Sequence, residues 1–173
     1  TDPLNPDIYG QRLDASGVRQ WPGGGITGAI ICDAPGPQLR PLLCTDGETG
    51  AIVAWRDGRT TGFFDLYSVR IDINGVSDTD WWAVNGITVN QSGRVSSVNN
   101  LEFVDNKIVY VWNVTVPASP GNFDLQAAAL DVEATNLWYT SFPSIPYITI
   151  SDAPLGQEES RMQPDGAGGV IVV

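Results

Sequence analysis

Three short segments of the chain repeat one pattern of apolar and polar residues. They are 7–14, 65–72 and 124–131, which read DIYGQRLD, DLYSVRID and DLQAAALD. Alternation along each segment is typical of a half-buried β-strand. The copies begin 58 and 59 residues apart. A period near 60 residues over the whole sequence indicates a repeat architecture.

Each repeat also contains one continuous apolar run. The runs are 50–55, 107–112 and 169–173, and they are rich in Val, Ile and Ala. Continuous β-branched runs are typical of strands that are covered on both faces of a sheet. Trp55 and Trp112 end equivalent runs, so we expect both to be core residues between neighbouring repeats. No segment shows a sustained 3.6-residue period, which predicts little helix.

A short strand precedes each apolar run, and a strand with tryptophan follows each of the three repeated segments. We place these last strands at 18–27, 80–89 and 137–150. Four antiparallel strands in a recurring unit of about 60 residues predict the blade of a β-propeller. A β-sandwich is the alternative, but it does not explain the near-constant spacing.

The predicted fold class is therefore all-β, with the blades forming a partial propeller. Four units follow from the strand order: a half-blade of two outer strands at 7–32, blades at 39–90 and 95–150, and a half-blade of two inner strands at 159–173.

Aspartates lie at the two ends of the repeated strand, and we assign them a structural role. They are Asp7, Asp14, Asp72, Asp124 and Asp131. The segments 14–17 and 72–75 end in glycine, which predicts a tight turn with a positive φ at that residue. The third copy, 131–134, ends in alanine. We expect its turn to differ or to be looser.

The net charge of −11 and the single lysine argue against nucleic acid as a partner. No apolar run reaches the roughly 20 residues that a membrane-spanning helix needs. An acidic surface is typical of a protein kept in solution by self-repulsion, or of one that attracts divalent cations. Asp72, Asn74, Asp78 and Asp80 form a weak calcium candidate, with a solvated hairpin loop as the alternative.

Cys32 and Cys44 are the only cysteines. In the last repeat, Ser151 and Gln163 occupy the corresponding positions, so the two cysteines are lost together. We therefore predict that they form one disulfide in an oxidising compartment. Two independent buried thiols are the alternative.

The segments 50–59 (GAIVAWRDGR), 65–72 and 85–87 (NGI) resemble a family of bacterial propeller repeats. Its pattern is roughly DGxGGAIVAWxDxR…DIYAQRLDxxGxxxWxxNGxxI. Such repeats occur in large secreted or cell-surface proteins, often of the Bacteroidetes type with a C-terminal sorting domain. The resemblance covers essentially the whole chain, and it implies an extracellular or cell-surface location. It implies no defined activity, since such propellers mostly have none assigned.

Arg56, Asp57, Arg59 and Asp65 are candidates for binding an anionic or sugar ligand, because arginine recognises such groups through paired donors. The alternative is that these residues pair with each other between blades. No histidine, nucleophile elbow or phosphate loop indicates an enzyme.

We expect a structural or adhesive module of a larger extracellular protein or filament, with the loops 60–64 and 116–122 presented to a partner. A carbohydrate-active enzyme's propeller or a glycan-binding lectin is the alternative. Val173 corresponds to Ala54, inside the buried strand. Because a ring needs at least four blades, we expect contact with further blades of the same longer chain or with other chains. Two copies joined into a six-bladed ring are the second possibility.

Overall fold

A computed structural model describes residues 5–21, 28–60, 62–119, 121–138, 147–154, 156–157 and 159–173. These residues form twelve strands and no helix. The strands are β1 Ile8–Gly10, β2 Ala29–Cys32, β3 Gln38–Thr45, β4 Ala51–Asp57, β5 Asp65–Ile71, β6 Ile87–Asn90, β7 Val95–Val104, β8 Lys107–Thr115, β9 Phe123–Leu130, β10 Ile148–Ser151, β11 Met162–Pro164 and β12 Val170–Val172. None of the described segments is a helix that could cross a membrane.

The strands form four separate antiparallel sheets in which neighbours in the chain are neighbours in the sheet. Two sheets have four strands each, β3-β4-β5-β6 and β7-β8-β9-β10. Two more have two strands each, β1-β2 and β11-β12. The prediction of an all-β chain with four-stranded antiparallel sheets is confirmed. The propeller itself remains a proposal.

The core lies between successive sheets. Side chains of β8 alternate between two apolar clusters: Tyr110 and Trp112 join the larger one with the first four-stranded sheet, and Val111 joins a smaller one with Met162 of β11. The sheet β7-β8-β9-β10 is therefore covered on both faces. Trp55 and Trp112 are both fully buried, as the apolar runs predict.

Successive sheets approach each other most closely at their first strands. β3 contacts β7, and β7 contacts β11. Among the described strands no comparable contact joins β6 to β10. Two indole N–H groups connect successive sheets. Trp21 donates its Nε1–H to the carbonyl of Ile73 at 2.8 Å, and Trp82 donates its Nε1–H to the carbonyl of Val132 at 2.9 Å. The first and second repeats are thus each linked to the turn of the next repeat.

The last strand of the second repeat is shorter than predicted, and β2 of the first repeat lies after the predicted range 18–27. In the second repeat β6 begins at Ile87 rather than at residue 80. Asn85 and Gly86 have φ values of 67° and 82°, which interrupt an extended backbone just before the strand. Residues 22–27 and 139–146, which belong to the other two predicted tryptophan strands, lie outside the described residues.

The turn of the third repeat is the same as in the other two, so the prediction of a different or looser turn is wrong. Ala134 donates its backbone N–H to the carbonyl of Asp131 at 3.1 Å, just as Gly17 donates to Asp14 at 2.9 Å. Ala134 has a φ of 63°, in the region that Gly17 adopts with 77°. The turn is kept because the same hydrogen bonds form, although alanine adopts this backbone conformation unfavourably.

The predicted disulfide is wrong, because both cysteines are free thiols. Cys32 ends β2 of the first sheet, whereas Cys44 lies near the far end of β3 in the second sheet. At about 3.3 Å per residue, the six steps from Gln38 to Cys44 carry the chain on the order of 15–20 Å away. Burial raises the pKa of Cys32 to about 11 and that of Cys44 to about 12, so both thiols stay protonated. The cysteines therefore say nothing in favour of an oxidising compartment.

Candidate functional site

Asp57 and Arg59 form a buried ion pair at the end of β4. Asp57 is fully buried, and its two carboxylate oxygens accept hydrogen bonds from Arg59 Nε at 2.8 Å and from Arg59 Nη2 at 2.7 Å. The indole N–H of Trp55 donates to the same carboxylate at 2.7 Å. All three groups come from one strand end, because the side chains of residues 55 and 57 lie on the same face of β4.

The Arg59 guanidinium also joins neighbouring segments. Its Cζ lies 3.8 Å from the centre of the Tyr67 ring, and its Nη2 donates to the carbonyl of Asn85 at 2.7 Å. Burial by itself lowers the pKa of Arg59, but the hydrogen bond and the charge of Asp57 outweigh burial and raise it above its ordinary value. The side chain is 22% exposed, so one edge of the guanidinium is open to solvent.

The other two predicted ligand residues are also engaged within the chain. Arg56 donates its Nε–H to the carbonyl of Val95 at 2.8 Å and lies over the ring of Phe64. Asp65 is buried and accepts a hydrogen bond from the backbone N–H of Gly93 at 2.8 Å. Arg56, Asp57, Arg59 and Asp65 therefore connect β4 and β5 to the loops around them. A ligand role for these four residues stays a prediction.

The repeated aspartates close turns. In four of the turns, one carboxylate oxygen accepts the backbone N–H groups of the residues two and four positions later, at 2.7–3.0 Å. These aspartates are Asp14, Asp46, Asp72 and Asp165. In the third repeat Asp131 accepts from Thr135 at 2.7 Å. Asp7 directly precedes β1, and Asp124 lies in β9 opposite Val114.

The calcium candidates are used in the same way. Asp72 accepts from the backbone of Asn74 and Val76, and hydrogen bonds, chiefly from Val76, lower its pKa below the ordinary value. Asp78 accepts from the backbone of Asp80 at 3.1 Å and lies 3.5 Å from Arg70. Within the described ranges no three acidic or cysteine side chains come together as a metal site would require. Calcium here stays a prediction.

A cleft at the first strands of the sheets was missed by the sequence reasoning. It has a volume of about 400 Å³ and lies between β3, β7 and the segment before β11. Its lining residues are Arg40, Ser96, Ser97, Val98, Asn99, Asn113, Phe123, Glu159 and Arg161. Arg40, Asn99 and Glu159 are 59 and 60 residues apart, so one repeat position supplies three different side chains. That spacing could have identified the cleft.

Hydrogen bonds hold the floor of this cleft. Asn99 donates from its Nδ2 to Ser160 Oγ at 3.0 Å and also to Asn113 Oδ1. Asn100 donates to the same Ser160 Oγ at 3.1 Å. Asn113 and Ser160 are both buried. This network fixes the backbone of β7 relative to the segment before β11.

Comparison of the chain with protein-family models, with curated proteins and with solved structures finds no match.

Proposed function

We propose that the chain is part of a β-propeller that acts as a structural and adhesive interaction module of an extracellular or cell-surface protein. The observation that carries this proposal is the arrangement of the sheets. The sheets pack face to face, with the first strands in contact, β3 with β7 and β7 with β11, whereas among the described strands no comparable contact joins the last strands β6 and β10. A fan of sheets around an axis is the geometry of a propeller.

The use of charged groups supports a scaffold rather than an enzyme. The aspartates of the turns accept backbone N–H groups, and Asp57 is paired with Arg59. Carboxylates that are engaged in this way stabilise turns and contacts between sheets, whereas a general acid or base needs access to its substrate.

The two-stranded sheets supply the surface that would meet a partner. Among the described strands, β1 and β12 each pair on one side only. By its position in the repeat, β12 corresponds to β4 and β1 corresponds to β5. In the first four-stranded sheet β4 pairs with β5. Ile52 pairs with Arg70 in the first four-stranded sheet. The same register would place Ile171 opposite Arg12 of a β1-type strand, supplied by a further blade or by another chain.

The loops between strands give a second contact surface. Phe63 is 58% exposed within the loop 60–64. The loop 116–122 is held by backbone hydrogen bonds, including Val116 N–H to the Asn122 carbonyl at 3.1 Å. Apolar side chains on loops that a rigid sheet positions are typical of interaction sites.

Association of the chain tests this proposal. Sedimentation velocity over a range of concentrations should show assembly that depends on β12. Ile171→Lys should weaken the assembly, because it places a charge on the strand edge. Val84→Lys is the matched control: Val84 is 67% exposed, similar to Ile171 at 60%, and lies outside both two-stranded sheets. A monomer at every concentration, or equal effects of both variants, would contradict the proposal.

The enzymatic alternative has its own test. A screen against polysaccharides should show no turnover by the intact chain. Hydrolysis that is abolished by a single carboxylate substitution, such as Glu159→Gln, would replace the interaction module with a carbohydrate-active enzyme.

A further inference from the structure

The cleft at the first strands has a repeated frame and a varied lining. Pairing between β3 and β4 shifts register between Leu39 and Leu42, and pairing between β7 and β8 shifts between Val98 and Asn100. Arg40 and Glu159 have φ values of 54° and 57°. The first two copies thus bulge at this place, and the first and third have a positive φ there. The side chains at the position are those of arginine, asparagine and glutamate. Varied side chains at one repeat position are typical of the binding face of a repeat protein.

The charged residues that line this cleft are two arginines and one glutamate, a formal net charge of +1 in a chain whose net charge is −11. Arg40 and Arg161 both line it. Among the described residues Arg40 has no ion pair to a carboxylate. The pKa of Arg56 is lowered chiefly by burial and further by the positive charge of Arg40. The Arg56 guanidinium therefore lies near that of Arg40. Arginines without a carboxylate partner among the described residues are available to pair with an anionic ligand.

Arg161 is held in place by the chain itself. Its Nη1 donates to the carbonyls of Glu159 at 3.1 Å and of Ser160 at 3.0 Å. The guanidinium is therefore oriented before a ligand arrives. A preorganised arginine loses less conformational entropy when it binds a carboxylate.

The remaining lining offers groups that suit a polyhydroxylated molecule. Ser96, Ser97, Asn99 and Glu159 present side-chain oxygens that accept hydrogen bonds from hydroxyl groups. The Nδ2 of Asn99 and the hydroxyl of Ser97 already donate within the chain. Phe123 contributes one apolar ring. The volume of about 400 Å³ lies within the range of roughly 300–1,000 Å³ for small-molecule sites.

We propose that this cleft binds an acidic saccharide, with the sugar carboxylate between Arg40 and Arg161 and the hydroxyl groups on Ser97, Asn99 and Glu159. This ligand goes beyond the role of an interaction module and does not depend on chain assembly. An acidic peptide fits less well, because the bulges interrupt the strand edges that a peptide would extend.

Titration calorimetry tests the site with trigalacturonic acid, a neutral galactose trisaccharide and a short oligoglutamate peptide. We expect the acidic trisaccharide to bind and the other two to bind at least tenfold more weakly. Arg40→Gln and Arg161→Gln should each weaken binding of the acidic trisaccharide by at least tenfold, since each removes a charge-assisted hydrogen bond to the sugar carboxylate. Arg19→Gln, an exposed arginine outside the cleft, should leave it unchanged.

The unfolding midpoint of each variant shows whether the fold is intact, and the two cleft arginines give independent tests. Tighter binding of the peptide, equal binding of the two sugars, no binding of the acidic sugar, or unchanged binding in both folded cleft variants would overturn the proposal. Sedimentation of the same variants separates this outcome from failure of the interaction module, because neither cleft substitution should alter assembly.

Discussion

Ala134 shows how a repeat can keep a turn while losing the residue that suits it. Its φ is 63°, in the left-handed region, which residues with a side chain adopt at a cost of about 1–2 kcal/mol. The first two repeats place Gly17 and Gly75 there. The hydrogen bonds of the turn therefore outweigh the local strain of one alanine.

Ala134→Gly should stabilise the protein by about 1 kcal/mol, because relief of the left-handed strain exceeds the added flexibility of the unfolded chain. Denaturant unfolding measures this change. Gly17→Ala is the control: Gly17 has a φ of 77° and no neighbouring atom within 4 Å of an added Cβ, so only backbone strain changes. It should destabilise by a similar amount. If both substitutions are neutral, the left-handed backbone of these turns does not strain an alanine.

The two buried tryptophans differ in what their indole N–H groups meet. Trp55 donates to Asp57, whereas the N–H of Trp112 has no acceptor in the described part of the chain. Trp55→Phe should destabilise more than Trp112→Phe, by about 2 kcal/mol, since a hydrogen bond to a charged group contributes roughly 1.5–3 kcal/mol. The unfolding free energies of the two variants measure the difference. Equal losses would show that the bond to Asp57 contributes nothing.

Asp72 predicts a pH dependence. Hydrogen bonds, chiefly from the Val76 N–H, lower its folded-state pKa from 3.8. Its contribution to stability is therefore present above the unfolded pKa and is lost as the pH falls through the folded pKa. Near neutral pH the Asp72→Asn variant should have a smaller free energy of unfolding than the natural chain. This difference in free energy should shrink on acidification below about pH 4. Unfolding measured across this range checks the trend; a constant gap would contradict it.

Among the elements, the sheets are joined by tryptophans that lie between the last strand of one repeat and the turn of the next. Trp82 is 1% exposed and donates to the carbonyl of Val132, whereas its neighbour Trp81 is 58% exposed. Adjacent residues of one type thus have very different environments. The link between repeats depends on the buried one.

Trp82→Phe should destabilise by about 2 kcal/mol, because it removes both a hydrogen bond and buried ring atoms. Trp81→Phe should stay within roughly 0.5 kcal/mol of the natural chain, as is usual at the surface. Thermal unfolding of the pair measures this contrast. A larger effect at Trp81 would mean that the register of this segment is shifted by one residue.

Sequence predicted the elements that depend on local chemistry. Buried apolar runs such as 107–112 and turns such as 72–75 are determined by residues close together in the chain, so pattern and glycine position were sufficient. The relation of Cys32 to Cys44 depends on how β2 and β3 diverge into different sheets. The position of Arg40 in a cleft depends on a bulge and on two neighbouring sheets. These are long-range features without a local pattern.

At the scale of the whole molecule, the chain is a series of sheets that lie close at one edge and diverge at the other. The second four-stranded sheet is covered on both faces, by the first four-stranded sheet and by β11-β12. A sandwich would bury one face of each sheet and leave the other in solvent. Burial on both faces is what the proposed propeller requires, and a two-layer sandwich does not provide it.

Distances between spin labels test the fan arrangement most directly. Leu43 and Glu102 lie in the first strands β3 and β7, and Thr88 and Thr149 occupy equivalent positions in the last strands β6 and β10. Cys32 and Cys44 would first be replaced by alanine. The two residues of each pair would then be replaced by cysteine and spin-labelled, and double electron–electron resonance would measure the distance between the labels. Blades around an axis predict a clearly shorter distance for the 43–102 pair than for the 88–149 pair. Equal distances, or a shorter 88–149 distance, would contradict the propeller.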